Sequence, residues 1–212
     1  MKTKTIATPV AGRRLALGGL LGLAALLAGC GKPQATFNAV DLTGADYGSH
    51  LALPDTEGKT RTMADFKGKV TVVFFGFTQC PDVCPTTLAE LVQAKKALGP
   101  EDSARVHGVF ITLDPERDTP EVLKGYVAAF DPGFVALRGS PEQTAAAAKD
   151  FKVFYAKVPG KTPEAYSLDH TAGSYVFDAA GKLRLFVKFT PGGGGAPALT
   201  ADLKQLLAQR ST

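Results

Sequence analysis

The sequence predicts an α/β fold: a central mixed sheet flanked by helices, with an N-terminal β-hairpin. Two observations predict it. The middle of the chain alternates short apolar runs with segments at helical spacing, which implies parallel strands joined by helical crossovers. Near the C-terminus, two further runs flank a tight turn, which adds antiparallel strands.

The elements follow in order. Asp55-Thr56-Glu57-Gly58 reads as the turn of the first hairpin. Val70–Phe77 is β-branched and aromatic on both faces, so it is read as a fully buried central strand. Pro85 suits a first helical turn; Leu88, Leu91, Val92 and Leu98 then recur at helical spacing until Gly99-Pro100 ends the element. Arg105–Leu113 is a second buried strand. Thr119, as N-cap before Pro120, opens a helix through about Phe130, and Phe134–Leu137 is a short strand. Ser140-Pro141-Glu142-Gln143 has the form of a capping box before an Ala-rich helix. Lys152–Val158 is another strand. Ser174–Asp178 and Leu183–Phe189 flank the turn Ala179-Ala180-Gly181-Lys182, and Thr200 is expected to cap a last helix carrying Leu203, Leu206 and Leu207. Gly192–Gly195 reads as a loop and not a phosphate cradle, because no Gly-Lys-Ser/Thr follows.

The chain has 212 residues, 45% apolar and 21% charged, which argues against wholesale disorder. The net charge of +4 comes from the first 29 residues, which hold Lys2, Lys4, Arg13 and Arg14 and no acid. The remainder balances 20 basic against 20 acidic residues, so no basic surface for nucleic acid is expected. A basic start, an apolar run over Leu15–Ala28 and a small-residue boundary make an export signal. The run is shorter than the ~20 residues of a membrane span. It closes Leu27-Ala28-Gly29-Cys30, which resembles the lipobox of bacterial lipoproteins, with Cys30 as the lipidated residue. The expected division is 1–29 signal peptide, 30–37 lipidated tether and 38–212 folded domain.

Two cysteines then remain, Cys80 and Cys84. The loop between them is too small to be a useful structural staple, leaving a redox couple or a metal site. Cys80-Pro81-Asp82-Val83-Cys84-Pro85 joins the C-terminal end of the buried strand to a helix N-terminus. That edge favours ligand sites, and the helix end favours thiolate over thiol. A small soft ion needs a third ligand. His107, inside a strand, reads as a packed or surface imidazole and His50 as an exposed one. His170 lies in the loop Ser167–Thr171; it faces the cysteines if the following strand neighbours Val70–Phe77. Two thiolates and an imidazole suit copper, as Cu(I) and also as Cu(II), whereas structural zinc would need a fourth ligand.

Three stretches carry a family resemblance. Phe75-Gly76-Phe77-Thr78 leads into Cys80–Pro85. Leu113-Asp114-Pro115-Glu116-Arg117-Asp118-Thr119-Pro120 follows, then Asp169-His170-Thr171 before Tyr175-Val176-Phe177-Asp178. In this order they resemble the Sco/SenC family of copper-binding proteins over about residues 38–210. The resemblance implies a thioredoxin-like fold, a membrane tether, and copper delivery to the binuclear copper site of cytochrome c oxidase. Its ligand pattern transfers to Cys80, Cys84 and His170. Asp114 and Asp169 are candidates to orient ligands or balance charge around them. Asp118 and Thr119 are expected to cap the next helix, Asp82 to be solvated, and Phe74, Phe75 and Phe77 to belong to the core.

Two functions share these residues. One is a copper chaperone anchored on the extracytoplasmic or periplasmic side of a bacterial membrane. Its partners would be the oxidase copper subunit, a thiol reductant and another copper carrier. The other is a thiol–disulfide oxidoreductase, with Cys80 and Cys84 cycling between dithiol and disulfide to reduce the oxidase cysteines. Against the second as sole role, three residues separate the cysteines where thioredoxin-like redox sites have two. Ala172 and Gly173 also stand where such sites place a proline. A peroxiredoxin-like peroxidase would have no need of His170.

Overall fold

The computed structural model describes Thr3 and residues 36–162, 165–188, 192 and 194–209. The export signal and Cys30 lie outside the described residues. Among those described, no helix is long and apolar enough to cross a membrane. The described residues from Phe37 onward form one compact unit.

Its frame is a six-stranded sheet in the order β1-β10-β9-β4-β5-β6. The strands are β1 (Val40–Asp41), β4 (Val70–Gly76), β5 (Val106–Thr112), β6 (Val135–Leu137), β9 (Gly173–Phe177) and β10 (Leu183–Lys188). β4, β5 and β6 run parallel, as their helical crossovers require, and β9, β10 and β1 continue the sheet antiparallel. β4 is central. All seven of its residues are buried, the expected state of a parallel strand covered on both faces. Antiparallel pairing sets Thr71 opposite Phe177 and Phe74 opposite Ser174, so β9 does neighbour β4. This mixed sheet with its flanking helices is the thioredoxin-like arrangement the resemblance implies.

The helices are α1 (Val83–Leu98), α2 (Pro100–Ala104), α3 (Pro120–Ala128), α4 (Pro141–Asp150) and α5 (Ala196–Ala208). α1 and α5 pack together, α3 lies against β6, and α4 against the small hairpin of β2 (Ala52–Pro54) and β3 (Thr60–Thr62). The Thr119 hydroxyl accepts from the Val122 amide, and Ser140 with Gln143 forms the expected capping box. The chain is pinned at its first strand by Asp202 of α5. That carboxylate, 1% exposed, accepts from the Asn38 and Ala39 amides and from the Asn38 side chain.

Three sequence expectations are corrected. The strand expected over Lys152–Val158 covers only Tyr155–Val158 (β7) and stands outside the central sheet. Residues 151–153 instead close α4: Lys152 takes a left-handed φ of 56°, and the Val153 and Lys152 amides donate to the carbonyls of Ala148 and Lys149. His170 is not in a loop. Ser167–His170 is a strand, β8, which pairs with β7 in a two-stranded ribbon. Thr200 does not cap α5, which begins four residues earlier. Ala196 starts the helix with Pro197 in its first turn, and the distant Glu90 carboxylate accepts from the Gly195 amide at 2.7 Å. The Thr200 hydroxyl donates back to the Ala196 carbonyl.

Candidate metal centre

The site lies where β4 ends and α1 begins. Gly76 closes β4 because a Cβ there would stand 2.8 Å from Cys84 Sγ and 2.8 Å from the Phe74 ring, inside van der Waals contact. Beyond Phe77 the chain turns, and the Cys80 amide donates to the Phe77 carbonyl at 3.3 Å. Cys80 remains half-buried; Cys84, in the first turn of α1, is fully buried. The Cys84 amide is directed at Cys80 Sγ, 3.4 Å away. Neither sulfur is in a disulfide.

His170 arrives from the far side on β8. Its Nδ1–H donates to the Thr171 carbonyl at 3.0 Å, which leaves the Nε2 lone pair directed toward the sulfurs, 3.6 Å from Cys84 Sγ. The rings of Phe74 and Phe77 meet the imidazole edge-on at 6.1 and 6.0 Å and wall it from the core side. The donor atoms of Cys80, Cys84 and His170 all lie within 4.8 Å of one another. A trigonal ion with bonds of about 2.3 Å to sulfur and about 2.0 Å to nitrogen would hold its donors roughly 4 Å apart, so the three groups fit one small soft cation. Cys80 and His170 open onto a cavity of about 220 Å³ rimmed by Pro81, Asp82, Val83 and Asp169, while Cys84 lies buried behind them.

The two sulfurs have opposite protonation tendencies. Hydrogen bonding from the Cys84 thiol, helped by the Cys84 and Asp82 amides and opposed by burial, brings Cys80 down to about 4. Donating that bond, together with burial and the adjacent Cys80 charge, pushes the Cys84 thiol up. At neutral pH the metal-free pair therefore holds one proton, on Cys84. Iodoacetamide is expected to label Cys80 and spare Cys84, at a rate nearly flat from about pH 5 to about pH 8. A rate climbing about tenfold per pH unit over that range would show an ordinary thiol instead.

The other sequence candidates lie apart from the sulfurs. His107 stacks on Phe66 at 5.5 Å near the opposite end of β5, and burial lowers it to about 4. His50 is exposed, with Nδ1 3.1 Å from Asp150. Asp169 is exposed on the cavity rim, and the bond that orients the His170 ring goes to Thr171. The Asp114 carboxylate is engaged by Arg117 and by the Tyr166 hydroxyl. Asp82 is exposed, as expected, and accepts from the Thr86 hydroxyl.

Asp118 is corrected. It does not cap α3, a role Thr119 fills alone. It is fully buried beneath the cysteine loop and accepts from the Thr78 amide and hydroxyl and from the Thr112 hydroxyl. It thereby ties the turn that carries Cys80 to the end of β5. Burial raises its carboxyl above the usual range, against those hydrogen bonds.

Comparison with known proteins follows the same geography. The family described as SCO1/SenC matches residues 40–208. An SCO2-like protein of Rickettsia felis is 40% identical over 136 residues, 64% of this chain and 66% of its own length. The aligned part thus spans just under two thirds of that relative. The copper-bound structure of ScoI from Bradyrhizobium japonicum superposes with a TM-score of 0.66 at 40% identity, covering 76% of this chain and 99% of that one. Apo Sco1 from Thermus thermophilus gives a TM-score of 0.71 at 38% identity, over 82% of this chain and 99% of that one.

Proposed function

The chain belongs to the SCO1/SenC family, and on that premise we propose that it carries copper for the assembly of cytochrome c oxidase. Cys80, Cys84 and His170 would hold the cargo. The observation that carries this reading is the convergence, within 4.8 Å, of three donors from two separate elements at the edge of the sheet. A soft N and S donor set selects Cu(I) and also accommodates Cu(II).

The protonation state of the pair sets how loading proceeds. Cys80 meets Cu(I) as a thiolate, Cys84 gives up its proton to become the second, and neutral Nε2 of His170 completes the set. Each Cu(I) taken up thus releases one proton, and the loaded site carries a charge of −1. Delivery proceeds by ligand exchange. A thiolate of the oxidase copper subunit enters from the cavity, on the half-buried Cys80 side, and displaces the donors in turn. A lipid on Cys30, with 1–29 removed and 30–37 as tether, would keep the domain 38–212 at the extracytoplasmic or periplasmic face of the membrane. There a thiol reductant would keep the cysteines reduced, and a second carrier would supply the copper. Asp114 and Asp169 would act on the ligands from outside their immediate contacts.

The test is metal content with X-ray absorption on the reduced protein, for which one copper with two sulfurs and one nitrogen is expected. The low pKa of Cys80, the more accessible sulfur, favours one second reading, a thiol–disulfide oxidoreductase. There Cys80 would attack a partner disulfide, and Cys84 would resolve the mixed disulfide. A protein that takes up no copper yet turns over disulfides quickly would replace the first reading with the second.

A further inference from the structure

Two of the three donors sit on one short stretch of chain and the third does not. Cys80 and Cys84 sit at the turn into α1, whereas His170 ends β8, whose strand partner among the described residues is β7. A two-stranded ribbon has little stability of its own. This one buries Leu168 to 6% exposure but leaves Lys157, Val158, Ser167 and Asp169 in solvent.

What seats the ribbon is a cluster around Tyr166, the residue before β8. Its hydroxyl donates to Asp114 Oδ1 at 2.6 Å. The Arg117 guanidinium lies 3.6 Å over its ring, and Nη1 donates to its carbonyl at 2.8 Å. Arg117 Nε donates to the other oxygen of Asp114. Asp114 is itself fixed, 2% exposed, with its amide donating to the Thr112 hydroxyl at the end of β5. The segment from β5 to α3 therefore grips the ribbon four residues ahead of the imidazole.

We infer that Asp114, Arg117 and Tyr166 are positioning residues that hold His170 against the sulfur pair and so set how long the cargo is retained. The inference rests on reading His170 as a copper donor. A buried carboxylate accepting from both a phenol and a guanidinium makes strong, shielded bonds. Without the phenol bond, the start of β8 loosens and the imidazole spends more time withdrawn, leaving a two-sulfur site. The sulfurs keep their places, because the Thr78–Asp118 contact that holds their loop does not involve Tyr166.

The experiment compares Cu(I) loss from the loaded, reduced protein to a Cu(I) chelator in four forms: native, Tyr166→Phe, His170→Ala and the double variant. Tyr166→Phe is expected to speed release about tenfold in the native background. With alanine at 170 it is expected to add nothing. Equal acceleration in both backgrounds, or none in the first, would overturn the inference. His170→Ala releasing copper at the native rate would instead remove the imidazole from the site, and with it the copper-site reading this inference rests on. The metal-free protein gives a second readout. In Tyr166→Phe, amide exchange should quicken at Ser167 and Asp169, whose amides face β7, and stay unchanged at Phe74 and Phe110. A uniform change across all four would count against positioning.

Discussion

His170→Ala is expected to weaken Cu(I) binding by more than about a hundredfold, while His107→Ala shifts it less than about threefold. Outer partners of metal ligands are already worth about 10–100-fold in affinity, so loss of a donor should exceed that range. The imidazole of His170 stands 3.6 Å from Cys84 Sγ with its other nitrogen already engaged by the Thr171 carbonyl, so its free lone pair has one direction to point. His107 is an internal control of the same residue type, packed on Phe66 near the other end of β5. Competition against a Cu(I) chelator of known affinity measures both variants. Equal effects would remove His170 from the site.

Oxidation of Cys80 and Cys84 to a disulfide is expected to abolish copper binding, and reduction to restore it. Both thiolates are consumed in the bond, and the single imidazole left is a poor home for Cu(I). Cys84→Ser tests the same point without oxidation and should lower affinity by at least the factor expected for His170→Ala. Equilibrium dialysis of the oxidised, reduced and serine forms decides the matter. An oxidised protein that still holds one copper would move the donors elsewhere.

The residues whose roles were legible in the sequence are those whose signals are local. β4 announces itself by seven consecutive buried residues, and the capping box at Ser140 by two residues three positions apart. The cysteines are legible because a strand end and a helix start bracket them. His170 is different. No periodicity marks it, and its direction depends on which strand lies beside β4, so the family resemblance placed it more firmly than spacing did. Asp118 and Tyr166 were not legible at all. Their partners, Thr78 and Asp114, lie 40 and 52 residues away, and no pattern within one element encodes such contacts. Thr200 was misread for the same reason: the carboxylate that caps α5 comes from Glu90, 105 residues earlier in the chain.

The order of strands has a consequence for biosynthesis. β4 is flanked on one side by β5, which follows it closely, and on the other by β9, about a hundred residues later. Such a late neighbour makes closure slow, because a long stretch must emerge before the pairing that rewards it can form. A nascent polypeptide therefore displays its two thiols well before the ring that will sit over them has been made. During that interval they are open to oxidants and stray ions, so a partner that guards sulfur would be needed earliest during synthesis.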